Sequence, residues 1–155
     1  MHLQRRFPRR IRTLVVVTAA LIASACAPDA PAEQAPRETR SDTAPLTSRF
    51  PVIGSPVSAI WLTWNNADPR VPGPTTFWID AVITLQPNTT RALADLTPSA
   101  QAPIPEVADE LRSAVSDGPF VTGAALNDAL STPGWAATGF LDSARNQLVV
   151  HATGD

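Results

Sequence analysis

The chain has 155 residues, 44% of them hydrophobic and 17% charged, with a formal charge of −2. Its basic charge is entirely arginine. Five of the twelve arginines fall within the first twelve residues, leaving seven against fourteen acids in the rest of the chain, a formal −7. An acidic remainder without a basic cluster argues against nucleic acid and against peripheral binding to anionic lipid, and one cysteine cannot form an intramolecular disulfide framework.

Arg5, Arg6, Arg9, Arg10 and Arg12 precede thirteen uncharged residues, Thr13 to Ala25, rich in Leu, Val, Ile and Ala. As a helix that run would measure about 20 Å, short of the roughly 30 Å of bilayer hydrocarbon and suited to the apolar region of a signal peptide. It ends in the small residues Ala23-Ser24-Ala25, directly before Cys26. Residues 1–25 are therefore expected to be a signal peptide cut between Ala25 and Cys26. The same residues resemble a bacterial lipobox, departing from it at Ala23, where leucine is commonest. That resemblance implies a lipidated Cys26, a membrane anchor through its acyl chains, and a position on the extracytoplasmic face. Plain secretion by the ordinary peptidase, which also accepts small-x-small, is the alternative.

Residues 26–51 hold Pro28, Pro31, Pro36, Pro45 and Pro51 with few large apolar groups before Leu46 and Phe50. This composition predicts an extended, disordered tether after the lipidated cysteine. The remainder, 52–155, is enough for one small domain.

Within it, SPVSAIWLTW (55–64) reads as a largely apolar strand. TTFWIDAVITLQ (75–86) alternates with period two. Phe77, Ile79, Ala81, Ile83 and Leu85 make the better core face, and Trp78, Asp80, Val82 and Thr84 lie opposite. The ten residues between these strands, NNADPRVPGP, are long for a hairpin loop, and long loops are often functional. Asn88 or Thr89 then caps a short helix carrying Leu93 and Leu96. TPSAQAPIP breaks the chain. EVADELRSAV (106–115) predicts a helix with Val107, Leu111 and Val115 on one stripe and acids in its first turn. Residues 120–130 read as a short strand running into a turn. GWAATGFLDSARNQLVVHAT (134–153) reads as a terminal β-hairpin turning at Asp142 to Asn146, with Trp135, Phe140, Leu141, Leu148, Val149 and Val150 as its apolar groups. The expected fold is α+β: an antiparallel sheet of four or five strands with one or two helices packed on one face.

Chemistry is sparse. The chain has no nucleophile elbow, phosphate loop, His-Glu-x-x-His or cysteine–histidine cluster, so no catalytic residue, metal site or cofactor is assigned. After signal cleavage His151 is the remaining histidine, and alone it reads as a strand-edge residue. Asp80 stands out inside an apolar strand. If buried it needs a partner, for which Arg70, Arg91 and Arg145 are candidates. Asp142 most simply caps a turn. Glu106, Asp109 and Glu110 share a helix face that reads as a solvated first turn.

Four tryptophans and no tyrosine are the remaining signal. Trp61 and Trp64 stand three apart and so point to opposite faces of a strand. A binding face at Trp64, Asn65, Asn66, Asp68, Arg70 and Trp78 follows, because exposed tryptophan beside polar loop residues can stack on a sugar ring or anchor a protein. With its SAC-plus-tether start and the segments WLTW, FWIDAVITL and GFLDSARNQLVV, the chain resembles small actinobacterial lipoproteins of unknown function. The resemblance implies an envelope-anchored protein and carries no activity or catalytic residues with it. The leading expectation is thus an anchored, non-catalytic binding module with a protein or glycan partner in the envelope. The alternative is a small hydrolase using carboxylates, Asp80 with Asp142, Asp68 or the helix acids.

Overall fold

The computed structural model describes residues 37–67, 73–97 and 101–155. Cys26 and the expected signal peptide lie outside these, as do Asp68 and Arg70 of the expected binding face.

Four strands of eight residues dominate: β1 (Ser58–Asn65), β2 (Phe77–Thr84), β5 (Trp135–Asp142) and β6 (Gln147–Gly154). Two short strands, β3 (Gln101–Ala102) and β4 (Phe120–Val121), complete a six-stranded antiparallel sheet in the order β1-β2-β6-β5-β4-β3. The α+β class holds. The sheet has six strands rather than four or five because two-residue strands carry no period for a sequence reading to detect. The helices are short: α1 (Ala44–Arg49), α2 (Pro87–Ala94) and α3 (Ala124–Leu130), with 3-10 turns at Pro51–Ile53 and Asp109–Ala114.

The long strands pair residue for residue, so side chains fall into straight rows across the sheet. Ala59, Ile83, Leu148 and Leu141 make one row, and Trp61, Ala81, Val150 and Gly139 the next row on the same face. That face carries the main core, covered by Leu46 of α1, Phe50, Ile53, Leu93 of α2 and Leu126 and Leu130 of α3. The face chosen from the period of β2 is the one that carries the main core, except that Phe77, at its open end, stays 38% exposed. Trp61 and Trp64 indeed lie on opposite faces, in the first and second core respectively.

The opposite face is only half covered. Leu62, Val82, Val149 and Phe120 are buried beneath Val107 and Leu111, so residues 105–118 form a strap across it. The strap contains a 3-10 turn over Asp109–Ala114 instead of the α-helix expected over 106–115, although Val107 and Leu111 do face the sheet.

Other departures have local causes. The ordered domain starts before residue 52: Leu46 and Phe50, inside the stretch expected to be tether, are buried together with Ile53 just beyond it, at helical spacing i, i+4, i+7. Arg40 also pairs with Trp61 along the outer edge of β1. α2 is capped at Gln86 with Pro87 in its first turn, not at Asn88 or Thr89; proline's fixed φ suits the first helical position. Residues 120–130 form a two-residue strand and then α3, not a turn. α3 completes β5 where β4 stops, since Asn127 and Ser131 accept hydrogen bonds from the Gly139 and Ala137 backbone N–H groups.

Gly139 allows α3 to sit this close. A Cβ there would lie 2.4 Å from Leu130 Cδ1 and 3.1 Å from Leu126 Cδ2. Gly139→Ala should therefore destabilise the domain by about 1–3 kcal/mol, read as a lower urea midpoint at unchanged slope. An unchanged midpoint would mean that α3 does not rest on β5 this tightly.

Candidate functional site

The half-covered face holds two of the six residues of the expected binding face, Trp64 and Trp78, while Asn65 points to the other face and Asn66 lies beyond β1. Trp64 and Trp78 are directly opposite each other on β1 and β2, with ring centroids 6.0 Å apart and planes inclined by 16°. Both rings are partly buried. Such aromatic pairs contribute about 0.5–1.5 kcal/mol beyond their buried area. The Arg37 guanidinium lies 4.6 Å from the Trp64 ring centroid, and the Arg37 N–H donates to Glu110 Oε1 at 2.8 Å. Asn65 and Asn66 are exposed but engaged in shaping the loop. Asn65 Oδ1 accepts from Ala67 N, and Asn66 Oδ1 accepts from Thr76 N across the loop base. Both are therefore loop-forming residues first. Asp68 and Arg70 lie outside the described residues.

One row further in, Asp80 is 6% exposed, and its partner is none of the arginines proposed for it. Asp80 Oδ1 lies 2.6 Å from His151 Nδ1, and Asp80 Oδ2 accepts the Ala108 N–H at 2.8 Å. His151 is no strand-edge residue: it sits on β6 in the middle of the sheet, opposite Asp80 on β2 and Thr138 on β5. Sequence reasoning missed the pair because its members are 71 residues apart and only strand order brings them together. Two uncommon features, a carboxylate in an apolar strand and a lone histidine in another, were the available signal.

In the tautomer that carries hydrogen on Nδ1, His151 donates to Asp80 and turns Nε2 away from it. The imidazole edge also meets the Phe140 ring at a centroid distance of 5.9 Å. Carboxylate-oriented imidazole is the second half of a nucleophilic triad. The first half is missing: among the described residues no hydroxyl is hydrogen-bonded to His151. Nor do the described residues include three metal-ligating side chains grouped for a cation.

Of the carboxylate pairs expected for a hydrolase, Asp80 with Asp142 does not converge, and Asp68 lies outside the described residues. Asp80 and Asp142 are on the same face, but two strands apart across the sheet and four residue steps along it, roughly 13 Å in the strand direction alone. Buried Val82 and Val149 lie between their rows. Glycosidase carboxyl pairs are about 5–9.5 Å apart. Asp142 is fully buried and occupied in two ways. Its Oδ1 accepts the Ala144 and Arg145 N–H groups, which makes it the turn cap expected from sequence. Its Oδ2 accepts from Ser116 Oγ at 2.7 Å and Arg145 Nη1 at 2.9 Å. Of the helix acids, Asp109 pairs with Arg112 and Glu110 with the Arg37 backbone, while Glu106 is exposed.

A second concavity, about 420 Å³, opens on the other face at the same end of the sheet, between α1 and the tips of β1, β2 and β5. No local pattern in the sequence marks it, because its walls come from positions 45–49, 61–63, 77–79, 135 and 155.

Comparison with protein-family models, with curated proteins and with solved structures finds no match to this chain.

Asp142 makes acid sensitivity testable. Burial alone raises its pKa, but hydrogen bonds from Ser116 and Arg145 outweigh that and hold it below the ordinary 3.8. A carboxyl depressed by folding stabilises fully above its unfolded value of about 3.9, and that stability is lost as pH falls through the lower folded value. Asp142→Asn should therefore lower the urea midpoint at pH 7 and flatten its decline below about pH 4. A mutant midpoint falling as steeply as wild type would place the acid-sensitive group elsewhere.

Proposed function

We propose that this protein is a lipid-anchored, non-catalytic binding module on the extracytoplasmic face of the cell membrane, and that its partner is an uncharged glycan of the envelope. The observation that carries the glycan reading is the Trp64–Trp78 pair, two stacked and part-exposed indoles on a sheet face that the strap leaves partly open; Arg37 lies over Trp64, so Trp78 is the ring assigned to meet a sugar. Sugar rings present an apolar face to a part-exposed indole. Their hydroxyls would meet the polar groups of the adjoining positions, Thr153, Thr138 and His151. The formal −7 of the chain beyond its arginine-rich start suits a neutral ligand better than an anionic polymer.

The anchor reading rests on the sequence: five arginines, an uncharged run, Ala23-Ser24-Ala25 and then Cys26. Two acyl chains suffice for stable residence in a bilayer. Among the described residues no helix is long and apolar enough to cross a membrane. The hydrolase alternative is not favoured, because Asp80 is committed to His151 and Ala108 and, among the described residues, no second carboxyl is hydrogen-bonded to it or to His151.

Two measurements test the proposal. Mass spectrometry of the mature N-terminal peptide should find a diacylglycerol adduct on Cys26, absent from Cys26→Ser. An unmodified Cys26 peptide in culture supernatant would refute the anchor. Co-sedimentation of the full chain with isolated envelope glycan should show binding that Trp78→Ala weakens roughly tenfold or more and Trp78→Phe partly restores. Binding unaffected by Trp78→Ala, or lost on protease rather than glycosidase treatment of the envelope fraction, would overturn the glycan assignment in favour of another surface or a protein partner.

A further inference from the structure

The concavity on the helical face is a built cleft rather than a packing gap. Its floor is closed by fully or nearly buried Leu46 and Ile79, and its walls are the aromatic rings of Phe77 and Trp135. At 420 Å³ it lies within the roughly 300–1,000 Å³ typical of small-ligand sites. Trp135 is clamped from both sides. A Cβ at Gly154 would fall 2.4 Å from two of its indole carbons, so the strand backbone lies directly against the ring. The Arg49 guanidinium lies over the ring, 4.4 Å from its centroid. The wall is therefore formed before any ligand arrives, which removes an ordering cost that binding would otherwise carry.

Two charged groups line this apolar cleft, Arg49 from α1 and Asp155 beyond the end of β6. They form no ion pair with each other, and neither makes a hydrogen bond or ion pair with any described residue. Stacking on an indole uses the face of a guanidinium and leaves its in-plane N–H groups able to donate to a carboxylate. Asp155 offers the complementary acceptor for an ammonium group. A purely anionic ligand would face the Asp155 carboxylate and a purely cationic one the Arg49 guanidinium, whereas a ligand carrying both charges satisfies both.

We infer that this cleft binds a zwitterionic α-amino acid with a large apolar side chain, the carboxylate at Arg49, the ammonium at Asp155 and the side chain between Phe77 and Trp135. The site lies on the opposite sheet face from the Trp64–Trp78 pair and does not depend on the glycan reading.

Titration calorimetry on the full chain tests this with L-phenylalanine and two analogues, each missing one charge: 3-phenylpropionate and phenethylamine. L-phenylalanine should bind, and each analogue should bind roughly tenfold more weakly or worse, the usual consequence of losing one charge-assisted contact. Arg49→Gln should weaken L-phenylalanine to a similar extent while leaving phenethylamine unchanged. Asp155→Asn should weaken L-phenylalanine while leaving 3-phenylpropionate unchanged. Both positions are on the rim, so circular dichroism should show the fold retained in each variant. No heat with L-phenylalanine, equal affinity for all three compounds, or an Arg49→Gln variant that binds as wild type does would overturn the assignment. So would tighter binding of a short-chain phosphocholine than of the amino acid, since that would make the ligand a lipid headgroup.

Discussion

Everything in this domain is referred to the unbroken pairing of four eight-residue strands. Because β1, β2, β6 and β5 match position for position, the pleat sorts their side chains into straight rows that alternate between faces. A one-residue slip of β2 would move Ile79, Ala81 and Ile83 out of the main core and Asp80 into it. The register therefore carries a large burial term, and the short helices are stable only because this surface is there to cover. None of them reaches the twelve or so residues at which an isolated helix becomes even marginal in water.

The two faces are finished by different physics. On the helical face the cover is apolar: Leu, Ile and Phe side chains meet an apolar sheet. On the other face the strap combines a small apolar cluster with polar ties that start from the sheet. Asp80 accepts the Ala108 N–H, Gln147 bonds both Ala114 O and the Ser116 N–H, and Asp142 bonds Ser116 Oγ. Arg145 adds a bond to Gly118 O. These buried polar groups are satisfied; no buried side-chain nitrogen or oxygen among the described residues lacks a partner. Each neutral tie contributes about 0.5–1.5 kcal/mol net and each tie to the Asp80 or Asp142 carboxylate about 1.5–3 kcal/mol, and leaving a partner unmet carries its own desolvation cost.

Arginine and tryptophan form a third recurring element. Arg37, Arg40 and Arg49 lie over Trp64, Trp61 and Trp135. Each arginine comes from the segment before β1, so the indoles serve as docking points for chain that composition marks as tether. An aromatic ring accepts a guanidinium on its face while the rest of the side chain stays in water, which lets a proline-rich, weakly apolar segment order against the sheet at little desolvation cost. Trp61 goes furthest. It is buried, donates from Nε1 to Asp42 O and pairs its backbone with Arg40.

What the sequence determined alone was what repeats locally. The period of β2, the opposed faces of Trp61 and Trp64, the terminal hairpin with its Asp142 cap and the strap's Val107–Leu111 stripe were all legible, because each depends on neighbours within a few residues. So was the tryptophan pair as a candidate face, though not its geometry. The tertiary structure alone decided the rest. Asp80 meets His151 rather than an arginine because β6 inserts beside β2, and no residue near either one encodes that insertion. Asp80 and Asp142 stay apart for the same reason. The 420 Å³ cleft comes from five separate segments, and the two-residue strands exist only because β5 has an edge to extend. Period and composition constrain what one segment can do; which segments become neighbours depends on the joint burial of all of them, and that is set only when the whole chain folds.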